Sequence, residues 1–409
     1  MVRLRRASRL GGEPHGDSDA PAFATTVVQQ TPLISSSAPS PYSKKAPTKT
    51  RIQANKQGGR SAWQRYYTYA RRHTWLTPLL LVLIILSAYL VHPTESNPLH
   101  AAIFLSYPLP KTKTETDGPT MYGKGVRDFA FVAFYTVVLS FAREFLMQRV
   151  IYPLGLYCGI CSRSKIARFM EQLYAAMYFS VFIPLGLYVM SRSSVWYFNT
   201  TSMFQGYPHR EHEGLLKAYY LLQASYWAQQ AAVLILQLEK PRKDFRELVA
   251  HHIITLTLIW LSYRFHFMHM GLAVYISHDI SDFFLATSRI LNYLDSVFVG
   301  PFYGTFVVVW IYTRHYINLR ILWAVLTEFA TVGPYKLDWE TQQYKCWISQ
   351  VITFVLLAGL QALNLFWLFL ILRVLWNYVA TRVPRDETSD TEEEEEEGHH
   401  GGSSAWVSK

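Results

Sequence analysis

Charge is scarce in this chain: Asp, Glu, Lys and Arg make up only 17% of its 409 residues, against about 25% in a typical soluble domain. A large soluble protein with a wetted surface is therefore not expected. Cysteine is nearly absent, with only Cys158, Cys161 and Cys346, which excludes a disulfide-built scaffold. Cys158-Gly-Ile-Cys161 has the spacing of a zinc or redox pair, but no second pair stands beside it. It is expected to be an interfacial loop whose thiols suit lipid acylation. No cleavable leader is expected either, because the first apolar run begins only near Trp75; that run is expected to act as a signal anchor.

Apolar and aromatic residues are abundant instead. Half of the chain is hydrophobic and 15% is aromatic. These residues are clumped into blocks, and a bilayer span needs about 20 mostly apolar residues. Eight spans are predicted: Trp75–Val91, Phe129–Met147, Phe169–Met190, Leu215–Leu238, Leu248–Tyr263, Phe267–Tyr293, Phe302–Val325 and Val351–Val379. The expected fold is an all-α polytopic membrane protein with about eight transmembrane helices. The fifth to seventh spans are unusually polar, the seventh holding Arg314, His315, Asn318 and Arg320. Ionisable groups at membrane depth avoid lipid, so these helices are expected to line a shared cavity.

The formal net charge is +10, and most of it comes from the first 72 residues. That region has no nucleic-acid-binding pattern and runs into a span. It is better read as a cytosolic anchor to anionic lipid and as a topology signal. The chain divides into a basic tail (1–72), a first anchor with its lumenal loop (73–124), a second span with its cytosolic loop (125–166), a core (167–380) and an acidic tail (381–409). Both tails are expected to be disordered. In the acidic tail Ser389 and Thr391 precede acids, the setting that acidophilic kinases favour. The loops after spans two (Arg149, Arg163, Lys165, Arg168) and four (Lys240, Arg242, Lys243, Arg246) are basic and are placed in the cytosol with both termini. Asn199-Thr-Thr is a glycosylation sequon in a loop placed in the lumen. Lys111, Lys113 and Lys124, in the first lumenal loop, run against this topology.

The chemistry-bearing residues cluster in spans five and six. His251-His252 opens the fifth, and His278-Asp279-Ile-Ser-Asp282 lies within the sixth. On a helix Asp279 and Asp282 are i,i+3 and His278 and Asp282 are i,i+4, so all can share one broad face. A carboxylate beside an imidazole fixes its tautomer, which is what a general base needs. Adjacent histidines point about 100° apart, so one of the pair is expected to face the cavity and the other to support it. Three readings follow from these residues alone. One is acyl transfer, with histidine as base or as acyl acceptor. Another is an iron site like those of membrane desaturases, to which His266 and His269 would add ligands; no HxxHH box exists, and those two sit near the opposite membrane face. The third is interhelical hydrogen bonding without chemistry.

His251-His252-Ile-Ile-Thr255, then Ser262-Tyr263, Gly271 and His278-Asp279-Ile-Ser-Asp282 resembles the Lag motif of ceramide synthases, in the TRAM/LAG/CLN8 (TLC) superfamily. Phe265-His266-Phe267, Met270-Gly271-Leu272, Asn292-Tyr-Leu-Asp295 and Gln342-Gln-Tyr-Lys-Cys346 are similar to the fungal, Lag1/Lac1-type branch. The resemblance covers roughly residues 125–380. It implies a six-helix TLC core enclosing a lipid tunnel, in the endoplasmic reticulum membrane. It also implies N-acylation of a sphingoid base such as phytosphingosine or dihydrosphingosine by a fatty acyl-CoA, with no other cofactor and no metal. His251 and His252 match the family's histidine pair, and His278, Asp279 and Asp282 its acidic run; Ser262 and Tyr263 are candidate substrate-binding residues. Lys240, Arg242 and Lys243 are candidates for the CoA phosphates, although they serve equally as topology determinants. The loop Thr331–Tyr344 is expected to influence acyl length, with very long chains favoured. A homo- or heterodimer with a paralogue and a small single-span accessory subunit are further implications. The alternative from another class is a TLC-family lipid-binding or lipid-sensing protein without catalysis.

Overall fold

The computed structural model describes residues 62–110, 118–239 and 243–381. Residues 1–61 and 382–409, with Ser389 and Thr391, and the basic residues Lys111, Lys113, Lys240 and Arg242 lie outside the described residues. The end of the basic tail, expected to be disordered, is instead a helix, Ala62–Arg72, in which Tyr66, Tyr67 and Ala70 recur at helical spacing.

Each predicted apolar segment lies in a helix. These are α1 (Leu76–Val91), α2 (Arg127–Leu146, continued by Met147–Ile151 and Tyr152–Tyr157), α3 (Arg163–Ser191), α4 (Gly214–Ile235), α5 (Phe245–Arg264), α6 (Met268–Tyr293), α7 (Val299–Trp310, continued by Ile311–Ile317 and Asn318–Thr327) and α8 (Trp347–Thr381). The only ladder among the described residues joins β1 (Met121–Tyr122) antiparallel to β2 (His212–Glu213), with Tyr122 opposite His212. Among the described residues three helices are long and apolar enough to cross a membrane: Arg127–Tyr157, Arg163–Ser191 and Trp347–Asn377. A fourth qualifies if Tyr66–Arg72 and Leu76–Val91, bent by 113°, form one span.

Apolar side chains from α3, α4, α6 and α7 form the main core, around Phe169, Tyr219, Leu272 and Ile321. α3 packs along α6. The approach is close enough that a Cβ at Gly186 would stand 2.5 Å from the Tyr219 hydroxyl and 3.1 Å from Ile276. The middle of α7 is a π-helical stretch, Ile311–Ile317, that buries Arg314 and His315. Its wider turn carries an extra residue and re-aims side chains, which is why such turns recur at working sites.

Two polar clusters mark the ends of the bundle. At one end Arg143 pairs with Glu144 and Glu239, and Gln148 donates to the Thr74 hydroxyl at 2.5 Å. The ends of α2 and α4, each leading into a basic loop, therefore lie together. At the other end Lys217, fully buried, sits 2.8 Å from Asp128 and donates to the carbonyls of Ser106 and Gly123 at 2.8 Å. The loop holding Asn199 belongs to this second end, because Tyr207 just beyond it donates to the Phe265 carbonyl at 2.7 Å.

Candidate active site

His251 and His252 occupy the second turn of α5. Their rings are 5.8 Å apart and nearly perpendicular, at 86°. His251 is buried and faces an internal cavity. Its Nδ1 has no hydrogen-bond partner, and its Nε2 stands 3.4 Å from the Thr255 hydroxyl. Trp227 from α4 and Trp367 from α8 meet its ring edge-on, at 5.9 Å and 5.3 Å. Trp367 is held by donating Nε1–H to Asp244 at 3.1 Å, just before α5 begins. His252 is half-buried and turned the other way. Its Nδ1–H donates to the Leu248 carbonyl at 2.9 Å, which leaves Nε2 as its basic nitrogen.

On α6, His278 and Asp279 line the same cavity. His278 Nδ1–H donates to the Val274 carbonyl at 2.9 Å. Its Nε2 accepts from Asn364 Nδ2 at 3.3 Å, because the Asn364 oxygen is already taken by Arg314 Nη1 at 3.1 Å. Both nitrogens of His278 are therefore occupied. Asp279 accepts from Gln223 Nε2 through one oxygen, while its Oδ1 is buried with no partner. Asp282 pairs with Arg314, which also donates to the Ser281 hydroxyl at 2.6 Å and lies 4.4 Å over the Trp310 ring.

This arrangement corrects one expectation. Among the described residues neither Asp279 nor Asp282 accepts from a histidine. His278 spends its one N–H on the Val274 carbonyl and its other nitrogen accepts from Asn364, so it has no donor left for a carboxylate. The carboxylates instead meet groups on facing helices, and the charge-assisted bond to Arg314 wins Asp282.

The cavity has a volume of about 230 Å³. His251, Trp227 and Asp279 line one end and Leu337, Trp339 and Tyr344 the other; Tyr275, packed edge-on against Tyr220, lies between them with mostly apolar side chains of α5, α6 and α8. From His251 to Phe265, both in the lining, α5 advances by about 21 Å at 1.5 Å per residue.

The other candidates fall in different places. Ser262 lines the cavity, with its hydroxyl against that of Tyr220. Tyr263 does not line it; its hydroxyl donates to Asp128 at 2.7 Å and ties α5 to α2. Lys243 is exposed at the end of the molecule nearest the histidine pair. Asn199 is exposed at the opposite end, where Cys346 is buried, whereas Cys158 and Cys161 are exposed free thiols in the loop after α2. His266 lies far from His251, with Nδ1 3.1 Å from Lys124 Nζ. Burial, reinforced by Lys124, lowers His266 to about 3; burial, reinforced by Lys217, lowers Lys124 to about 7. Among the described residues no three His, Cys, Asp or Glu side chains are arranged to hold a metal.

Several site residues were not singled out from the sequence: Trp227, Gln223, Tyr275, Asn364 and Trp367. Two carried a usable signal. Gln223 and Asn364 are amides inside apolar helices, where a side chain that must find a partner is costly to leave alone. The aromatic residues carried none, being no different in sequence from many others in the core.

A family model described as TLC domain matches residues 168–373. Ceramide synthase LAG1 of Saccharomyces cerevisiae is 47% identical over 393 residues, covering 95% of this chain and 92% of its own. Sphingosine N-acyltransferase lac1 of Schizosaccharomyces pombe is 48% identical over 334 residues, 82% of this chain and 85% of its own. Sphingosine N-acyltransferase-like protein FUM17 of Gibberella moniliformis is 50% identical over 336 residues, 81% and 86% of the two chains.

Proposed function

The chain belongs to the TLC-domain family, and we propose that it is a multi-pass membrane ceramide synthase of the Lag1/Lac1 type, moving a fatty acyl group from acyl-CoA to the amine of a sphingoid base. The observation that carries this is the division of the cavity. His251, His278 and Asp279 gather at one end, and the remaining length is mostly apolar. An amphipathic substrate with one reactive polar head matches that division.

A sphingoid amine is mostly protonated at neutral pH, with a pKa of roughly 9–10 by analogy with lysine. It must lose that proton before it attacks a thioester. In this reading the Asp279 carboxylate holds the ammonium and His251 takes the proton. The amine nitrogen then bonds to the carbonyl carbon, and the CoA thiolate leaves and is protonated. In the covalent variant of this route His251 first takes the acyl group from CoA, and the amine displaces the imidazole. His278 supports rather than reacts, because Asn364 already occupies its free lone pair.

The preference for very long acyl chains rests on the likeness to the fungal enzymes and not on the cavity, whose length of about 21 Å along α5 is shorter than an extended very long chain. The polar CoA moiety stays in water, so the His251 end opens to the cytosol, where Lys243 and the neighbouring Lys240 and Arg242 suit its phosphates. Eight crossings with a six-helix core, both termini cytosolic, would place Asn199 in the lumen of the endoplasmic reticulum. The ends of α2 and α4, which lead into the basic loops, share the end of the bundle that holds the histidine pair, which supports this topology. Dimerisation, a small single-span partner and phosphorylation of Ser389 and Thr391 complete the proposal.

The test is N-acylation in microsomes from cells without ceramide synthases of their own, across acyl-CoAs of several lengths. Wild type is expected to form ceramide. His251→Ala is expected to lose at least about 10²-fold, the usual contribution of a positioned base. A folded wild type that turns over no acyl-CoA would favour a lipid-binding role without catalysis.

A further inference from the structure

The two exposed thiols in the turn between α2 and α3 take no part in the acyl transfer. Arg127–Tyr157 and Arg163–Ser191 are each long and apolar enough to cross a membrane, and only residues 158–162 lie between them. A connection this short holds both thiols where the two helices leave the bilayer. The depth agrees. The 31 residues of Arg127–Tyr157 rise about 46 Å, against roughly 30 Å of hydrocarbon and 40–45 Å with the headgroups. Cys158, the first residue past Tyr157, therefore sits in the headgroup layer. Val150, Leu154 and Tyr157 are exposed, and their i, i+4, i+7 spacing makes a lipid-facing stripe that leads up to it. Just beyond the turn Arg163 and Lys165 are exposed, which suits anionic headgroups.

The turn itself is ordered. Gly159 takes the left-handed conformation, with φ at 87°. The Ile160 and Gly159 amides donate to the Gly155 and Leu156 carbonyls at 3.1 Å and 3.0 Å, which closes the end of the helix. Ile160 is buried, while Cys158 and Cys161 on either side of it are exposed and free. This is the end of the bundle that holds the histidine pair and is placed in the cytosol, where thiols stay reduced. Resting on that topology, we propose that Cys158 and Cys161 carry thioester-linked long-chain acyl groups donated by acyl-CoA. Each thiol gives up its proton, and its sulfur bonds to the acyl carbonyl carbon. The bond from that carbon to the CoA sulfur breaks, and the CoA thiolate takes the proton. One thioester replaces another, so the step needs no oxidant or reductant. The attached chains enter the hydrocarbon beside α2 and, with the basic start of α3, pin the turn to the membrane surface.

The experiment uses the full chain in microsomes of a eukaryotic host. Free thiols are blocked with N-ethylmaleimide in SDS, thioesters are cleaved with neutral hydroxylamine, and the released thiols are tagged with a maleimide-polyethylene glycol that adds one mass step per cysteine. Wild type is expected to show two hydroxylamine-dependent steps, Cys158→Ser and Cys161→Ser one each, and the double variant none. The buried Cys346 is blocked at the start and adds no step. A wild type without hydroxylamine-dependent steps overturns the inference, and so do steps that persist in the double variant. Steps released by a reductant in place of hydroxylamine overturn it too, since they report a Cys158–Cys161 disulfide. Failure of the topology looks different: wild-type thiols, found free, then react with a membrane-impermeant maleimide only after sealed microsomes are opened.

Discussion

Breaking the Arg314–Asp282 pair should destabilise the protein, and removing both charges should restore much of the loss. Arg314 is 2% exposed, on the π-helical stretch of α7. It faces Asp282, the Ser281 hydroxyl, the Asn364 oxygen and the His278 carbonyl. Arg314→Met strips all four of their donor and leaves the carboxylate uncompensated. Removing one partner of a buried pair costs about 3–5 kcal/mol. The Asp282 side chain is 21% exposed, so water recovers part of that, and about 3 kcal/mol is the working figure. At roughly 1–2 °C per kcal/mol for a chain of this size this lowers Tm by about 3–6 °C. Asp282→Asn alone should also destabilise, by burying an unpaired guanidinium. In the double variant neither charge is stranded, and at least half of the Arg314→Met loss should return. The assay is thermal unfolding of the four purified proteins in one detergent, followed by intrinsic fluorescence. Losses that simply add in the double variant would refute the pairing. N-acylation by the same proteins tests the separate role of Asp282. A stable but inactive double variant would mean that the carboxylate takes part in the chemistry, and a stable active one that its task is to hold Arg314.

Other outcomes can be checked independently. Trp339→Ala, at the far end of the cavity, should move the preferred acyl-CoA to a longer chain in a competition assay, with turnover of the usual substrate largely kept. Gly271→Ala would bring a Cβ to 2.3 Å from the Tyr220 hydroxyl; such overpacking costs about 1–3 kcal/mol, read as a lower Tm that Tyr220→Phe partly relieves. Lys124 supplies a pH test. Its folded value of about 7 lies below the ordinary 10.5, so the unfolded chain binds the extra proton between those limits and wild-type stability rises with pH across that window. Lys124→Met should therefore raise Tm most near pH 7 and least near pH 10, and a gain that does not vary with pH would refute the assignment.

How much of this was legible in the sequence depends on whether the signal is local. Apolar blocks near 20 residues mark α1 to α8 wherever the chain is placed, because a buried or lipid-facing helix needs a local stretch of hydrophobic residues. The histidine pair and the acidic run were equally visible, since their types and spacing are unusual in apolar sequence. Their partners were not. Asp279 meets Gln223 56 residues away, Asp282 meets Arg314 32 residues away, and Asn364, 86 residues from His278, occupies its lone pair. Tyr263 looked like a substrate residue from its neighbours, yet its hydroxyl is turned to Asp128. Each of these outcomes depends on how a helix is rotated about its own axis. One residue is a turn of 100°, so a small rotation exchanges a cavity-facing side chain for one that faces a neighbour. Hydropathy along the chain determined the helices and the type of chemistry they carry. Packing between helices decided which nitrogen of which histidine was left free to do it.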